Sequence, residues 1–145
     1  MRGFVLAGVL ALGMVTITAA TELPAALVDP YVRVQAALAA DKMDKVKQDA
    51  AEIAKAAGSL GAPASKVAEA AQTLEGAGDL KSARDAFGRV SDALFAYAKS
   101  QGATPPAGVK IAFCPMANKS WLQKGDTIQN PYYGSDMLQC GEFKK

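Results

Sequence analysis

Four sulfur-bearing side chains lie in two pairs near one end of a 145-residue chain. Cys114-Pro115-Met116 places two sulfurs two residues apart. Met137 and Cys140 place the other two three residues apart. In extended backbone, residues i and i+2 face the same way, and Pro115 fixes its own φ. If the two segments pair as strands, two thiols and two thioethers converge. Soft donors of this kind suit Cu(I), or Ag(I) as its surrogate, better than a hard cation. Zn(II) sites normally draw on His or further Cys instead of thioethers. Trp121 could shield such a centre through contact of its ring face with the cation.

The same two cysteines support a second chemistry. In an exported chain, two cysteines most often form a disulfide. Closing Cys114 to Cys140 would stabilise the fold by about 3 kcal/mol on the chain-entropy view. Met116 and Met137 are then core filler, and Trp121 is a packing anchor. A reversible pair, disulfide when empty and dithiol when metal-loaded, overlaps both. Spacing leaves these alternatives open.

Composition removes other classes. The chain has no histidine, which excludes Ser-His-Asp and Cys-His catalysis and His-based zinc sites. No pair of carboxylates stands out as an acid–base dyad, so no enzyme is expected. Lys plus Arg is 16 against 14 for Asp plus Glu, a net charge of +2. So weak a bias argues against a nucleic-acid binder working through bulk charge.

The elements that must position the sulfurs begin after residue 20. Met1-Arg2 is followed by uncharged residues to Ala20, ending in Thr18-Ala19-Ala20. A basic start, an apolar centre and small residues read as a signal peptide over 1–20, cleaved before Thr21. An uncleaved membrane anchor is the alternative. The mature segment, 21–145, is then a single exported domain, placed in a bacterial periplasm or secreted, with no membrane insertion after cleavage.

Residues 28–101 are Ala-rich and read as four helices. Asp29-Pro30 is an N-cap followed by a favoured first helical residue, with Tyr31, Val34 and Leu38 on one face. Asp41 can cap a second helix carrying Met43, Val46, Ala50, Ile53 and Ala57. Val67, Ala71 and Leu74 mark a third after the break at 58–63. Asp79 caps a fourth, with Leu80, Ala83, Phe87, Val90, Leu94 and Tyr97 along one stripe and Gly102 as its stop. Short loops favour an antiparallel four-helix bundle. Lys42, Lys45, Lys47, Lys55 and Lys66 read as a solvated face. Residues 102–108 are a stiff linker. Residues 109–145 form a cap: 109–113 alternate as a strand, Asn130-Pro131 and Gly134 form a turn, and 137–140 return as its partner. The fold class is therefore mostly α, a four-helix bundle with a small C-terminal β-hairpin or looped cap.

The cap reads Phe113-Cys114-Pro115-Met116-Ala117, then Trp121-Leu122, then Asn130-Pro131-Tyr132-Tyr133-Gly134, then Met137-Leu138-Gln139-Cys140-Gly141. This resembles an exported family, domain of unknown function 3347, with its C-P-M-A stretch, W-L pair, N-P-Y-Y/F-G turn and M-L-x-C-G ending. Arg84-x-x-Phe87-x-x-x-Ser91 is similar to that family's R-x-x-F-x-x-x-S, and Tyr31, Ala37-Leu38 and Asp41 match its opening helix. Phe113 departs from the pattern, in which Tyr often precedes the Cys. The family's domain occurs alone and joined to periplasmic adaptor proteins of heavy-metal efflux pumps. The resemblance implies heavy-metal handling, with Cys114, Met116, Met137 and Cys140 as ligands by motif position. It implies a periplasmic Cu(I) chaperone or buffer that meets an adaptor or other efflux component in trans. Trp121, Tyr132 and Asn130 are expected around the ligands. The rival is a structural or interaction module of the cell envelope, pinned by a Cys114–Cys140 disulfide and holding no metal.

Overall fold

The computed structural model describes residues 20–145; the expected signal peptide, apart from its last residue, lies outside them. Among the described residues no helix is long and apolar enough to cross a membrane. The described residues are mostly helical, with four α-helices and a small antiparallel sheet among them.

Helix α1 spans Ala25–Ala39. It begins a turn earlier than Asp29-Pro30 predicts, with Pro24 as its N-cap. The apolar stripe runs upstream through Leu27 and Val28, both buried, and burial decides the start. Pro30 sits inside the helix. It removes the N–H that would bond the Ala26 carbonyl, a loss made small by the exposure of Ala26 to solvent. A two-residue parallel pairing of β1 (Thr21–Glu22) with β2 (Ala103–Thr104) ties the start of the chain to the end of the helical part.

Helix α2 spans Val46–Ser59, α3 Ser65–Glu75 and α4 Leu80–Gln101. Their inward residues are those the 3.6-residue spacing selects: Val46, Ala50, Ile53 and Ala57, then Val67, Ala71 and Leu74, then Ala83, Phe87, Val90, Leu94 and Tyr97. Met43 and Leu80 are only half-buried. Asp79 caps α4 by accepting from the Ser82 N–H at 2.8 Å, and Ser82 Oγ returns the bond in a capping box. Asp41 does not cap α2, whose N-cap is Lys45 in left-handed backbone. Its carboxylate is drawn instead to Arg84. Each helix packs on the next, and α1 also meets α4. The lysines at 42, 45, 47, 55 and 66 are all exposed.

The cap is a three-stranded antiparallel sheet in the order β4-β3-β5. Strand β3 is Val109–Cys114, β4 Lys119–Lys124 and β5 Glu142–Phe143. The expected partner strand at 137–140 is not one: these residues form a turn, and pairing resumes at 142–143. The hairpin partner of β3 is β4, joined through residues 115–118. Lys119-Ser120-Trp121-Leu122-Gln123-Lys124 hides its strand character because Trp121, Leu122 and Gln123 are all buried, so no polar–apolar alternation shows.

The sheet lies on α1 and α4 through β4. Tyr31 and Phe87 stack at 4.8 Å between ring centroids, Phe87 reaches Tyr132 at 6.0 Å, and Tyr132 meets Trp121 edge-on at 5.8 Å. Ser91 Oγ lies 2.6 Å from the Tyr31 hydroxyl and accepts from Tyr132 Oη at 3.2 Å. Tyr31 Oη accepts from the Leu122 N–H, and Tyr132 Oη donates to the Ser120 carbonyl. Burial raises both tyrosines above the ordinary phenol range, so they stay neutral donors. Arg84 is the second tie. It donates to the Pro131 carbonyl at 3.0 Å, to the Leu38 carbonyl at 2.9 Å and to Asp41 at 2.5 Å. Asp41 also accepts from the Ser135 N–H; the Ser135 side chain first, then Arg84 and that N–H, hold its carboxyl below the usual range.

Gly134 closes this tie. Its φ is +56°, and a Cβ there would land on the Asp41 carboxylate and the Arg84 guanidinium. We expect Gly134→Ala to lower unfolding stability by about 2–3 kcal/mol through left-handed strain and the broken ion pair. Urea denaturation followed by circular dichroism checks this: the midpoint falls with an unchanged slope. A variant as stable as the parent would show that the tie carries little of the fold.

Candidate functional site

Cys114 ends β3 and is fully buried. The chain then turns through Pro115-Met116-Ala117-Asn118 into β4, with Asn118 in left-handed backbone at φ +50°. This turn folds the Ala117 N–H back onto Cys114 Sγ at 3.4 Å. Cys140 arrives from the other side, half-buried, with its sulfur 2.9 Å from that of Cys114. Both thiols are free.

Three features hold Cys140 there. Its N–H donates to the Met137 carbonyl at 3.0 Å, closing the turn that replaces the expected strand. Gly141 follows at φ +143°, where a Cβ would come within 2.9 Å of the Phe113 carbonyl and of the Trp121 ring. Only glycine lets the chain pass this close to β3 on its way into β5. Asn130 supplies the third. It is wholly buried, and its Nδ2 donates to the Cys140 carbonyl at 2.8 Å. Its Oδ1 accepts from the Tyr132 N–H at 2.8 Å and from the Tyr133 N–H at 3.3 Å, and its own N–H donates to the Leu138 carbonyl.

The two thiols differ electrostatically. Burial alone would raise Cys114, but donors outweigh it: the Cys140 thiol, the N–H groups of Ala117 and Met116, and the Asn130 side chain. Together they hold Cys114 below the usual thiol range. Cys140 is pushed up, first by its hydrogen bond to Cys114, then by desolvation and by the charge on Cys114. The pair therefore favours one thiolate and one thiol sharing a proton.

The structure brings Cys114 and Cys140 together, but not by strand pairing through 137–140. The β3–β5 register does it, Phe113 opposite Glu142 and Ala112 opposite Phe143. Met116 stands in the Cys114 turn, 66% exposed. Met137 is half-buried in the turn leading into Cys140. Trp121 lies beneath Gly141, its indole N–H donating to Gln123 at 3.0 Å. Tyr132 turns its hydroxyl toward α4, so it couples cap to helices instead of facing the thiols.

Sequence reasoning did not single out Gln123 and Gln35. Gln123 Oε1 also accepts from the Gln129 N–H, and its Nε2 donates to the Thr127 carbonyl at 2.8 Å. Gln35, on α1, donates to the Gln129 carbonyl at 2.6 Å. Both are nearly inaccessible, and between them they fix the 124–130 segment that delivers Asn130. An apolar residue would have marked these positions as core; glutamine conceals them until their partners are seen.

Among the described residues no group of three or more His, Cys, Asp and Glu side chains is placed to hold a metal ion. The thiol pair with its flanking thioethers is a different donor set, suited to a soft ion of low coordination number. Two sulfurs each about 2.3 Å from one ion lie roughly 3.8 Å apart at a tetrahedral angle. Uptake would therefore require Cys140, the more accessible of the two, to swing outward. The alternative chemistry is closure to a disulfide.

Comparison of the chain with family models, with curated proteins and with solved structures found no match.

The thiol asymmetry is directly measurable. Thiolate absorbance near 240 nm in the reduced chain should rise in two steps, one below and one above the ordinary thiol range. Cys140→Ala removes a donor to Cys114, so the remaining thiol should ionise at higher pH than the first step of the parent. An unmoved first step would assign it to other donors.

Proposed function

We propose that the chain is a periplasmic soft-metal carrier that takes Cu(I) as cargo at Cys114 and Cys140, with Met116 and Met137 as auxiliary thioether ligands. The observation that carries this reading is the meeting of two free thiols, 2.9 Å apart, between two turns that each hold a methionine. Cys114 is already biased toward the thiolate a metal needs. Met116 is exposed beside it, as a ligand must be to pass an ion to another soft site by exchange. The donor set excludes hard cations and lacks the imidazoles of zinc sites.

The likeness of the cap motifs to domain of unknown function 3347 supports the same assignment. Under this reading the segment 1–20 directs export and is removed, and the four helices form an antiparallel up-down bundle serving as a rigid platform. Trp121 and Asn130 fix the turn that carries Cys140. The partner is a periplasmic adaptor or another component of a heavy-metal efflux system, met in trans. We read the chain as a chaperone or buffer because an outward swing of Cys140 would let the two thiols share one soft ion and release it again.

The second reading, a metal-free envelope module pinned by a Cys114–Cys140 disulfide, is favoured by the same short approach of the sulfurs.

Anaerobic titration of the reduced 21–145 chain with Cu(I), against a chromophoric chelator, separates the two. We expect one ion held, lost with Cys114→Ser. Met116→Leu combined with Met137→Leu should weaken affinity roughly tenfold or more, the scale on which even outer partners of a metal site act, with helicity unchanged. Affinity unchanged in the double variant removes the thioethers from the site. No competition with the chelator by the parent removes the metal.

A further inference from the structure

The two sulfurs differ in access. Cys114 is enclosed by β3, its turn and the Cys140 loop, with no exposed surface, while Cys140 is half-buried and its neighbours Leu138 and Gln139 are exposed. Cys114 Sγ also receives an N–H from Ala117, whereas Cys140 is held mainly through its backbone, by Asn130 and Met137. A reagent from solution therefore meets Cys140 first. The partner of that sulfur already lies 2.9 Å away.

We infer that Cys114 and Cys140 form a reversible thiol–disulfide exchange couple with a fixed polarity, in which Cys140 is the sulfur that exchanges with outside thiols and disulfides and Cys114 is the buried sulfur that closes and releases. In the oxidising direction, the proton shared by the pair moves onto Cys114 across the 2.9 Å contact, and the Cys140 thiolate so formed attacks one sulfur of an external disulfide. A mixed disulfide forms and one external thiolate leaves. Cys114 then attacks the Cys140 sulfur and expels the second external thiol. Two thiols of the chain lose two electrons and two protons, and one external disulfide becomes two thiols. In the reducing direction an external thiolate attacks Cys140, the bond to Cys114 breaks, and Cys114 takes the electron pair. The Ala117 N–H meets the charge that develops on that sulfur, which makes Cys114 the better leaving group. A second external thiol then frees Cys140. The substrates are small or protein-borne thiols and disulfides; no metal takes part in any step.

This inference deepens the metal reading, since it makes the oxidised chain the form that cannot accept an ion, but its chemistry stands without copper. The polarity is tested with single-cysteine variants of the 21–145 chain and oxidised glutathione, with adducts followed by mass spectrometry. Cys140, alone in the Cys114→Ser variant, should be glutathionylated about tenfold or more faster than Cys114 in the Cys140→Ser variant. In denaturant, where access is equal, the two rates should converge. Equal native rates, or a faster Cys114, would overturn the polarity. The parent, oxidised to an internal disulfide, should return to two free thiols on native incubation with reduced glutathione. A disulfide that resists this would overturn the exchange function and leave a structural bond. Cu(I) uptake by the reduced parent is measured separately: its loss overturns the metal reading and leaves the exchange result untouched.

Discussion

The buried side chain of Asn130 is the constraint on which the cap depends. One residue joins three backbone stretches: its side-chain amide accepts from the start of the 132–133 turn and donates to the Cys140 carbonyl, and its main-chain N–H holds Leu138. The amide accepts at Oδ1 and donates from Nδ2, two separate atoms, which neither a hydroxyl nor a carboxylate can reproduce. An aspartate would keep the acceptor contacts and lose the donor, leaving the Cys140 carbonyl unsatisfied. With that bond gone, the position of the second sulfur would rest on the Cys140 N–H and on the close passage of Gly141 alone.

The helices matter to the site because of how the cap is fastened to them. Arg84 and Ser91, two turns apart on α4, reach different parts of the cap: Arg84 the Pro131 carbonyl, Ser91 the Tyr132 hydroxyl. Phe87, between them, fills the space beneath Tyr132. Arg84 also holds Leu38 and Asp41 at the end of α1. The Asn130-Pro131-Tyr132 segment is thereby fixed to two helices, and the thiols inherit that rigidity. The ion pair is partly shielded, with 17% exposure of the Arg84 side chain, and Arg84 gains two carbonyl acceptors besides its carboxylate. This is the condition under which burying a charge costs least.

Much of this was legible in the residues. Three of the four helices start or stop where caps and spacing place them, because Asp79, the 58–63 break and Gly102 act locally. Asp29-Pro30 misplaced the start of α1 because Leu27 and Val28 bury upstream, a tertiary effect that no cap signal reveals. Asp41 looked like a cap; its carboxylate is claimed by Arg84, 43 residues away. The pairing of the cysteines was readable from composition, but the route was not. The 137–140 turn and the β3–β5 register depend on Gly141 and Asn130, and strand β4 lacks alternation because both of its faces are covered. Phe113, next to Cys114, packs its ring under the Lys144 ammonium at 4.8 Å.

The central claim is that two thiols from opposite ends of the cap hold one soft ion. X-ray absorption at the copper edge, on the reduced 21–145 chain carrying one equivalent of Cu(I) after desalting, tests it most directly. The account predicts retained copper in a shell made only of sulfur, with a scatterer lost in the Met116→Leu, Met137→Leu double variant. Copper that elutes free of the protein, or a shell of oxygen and nitrogen in the parent, would contradict it.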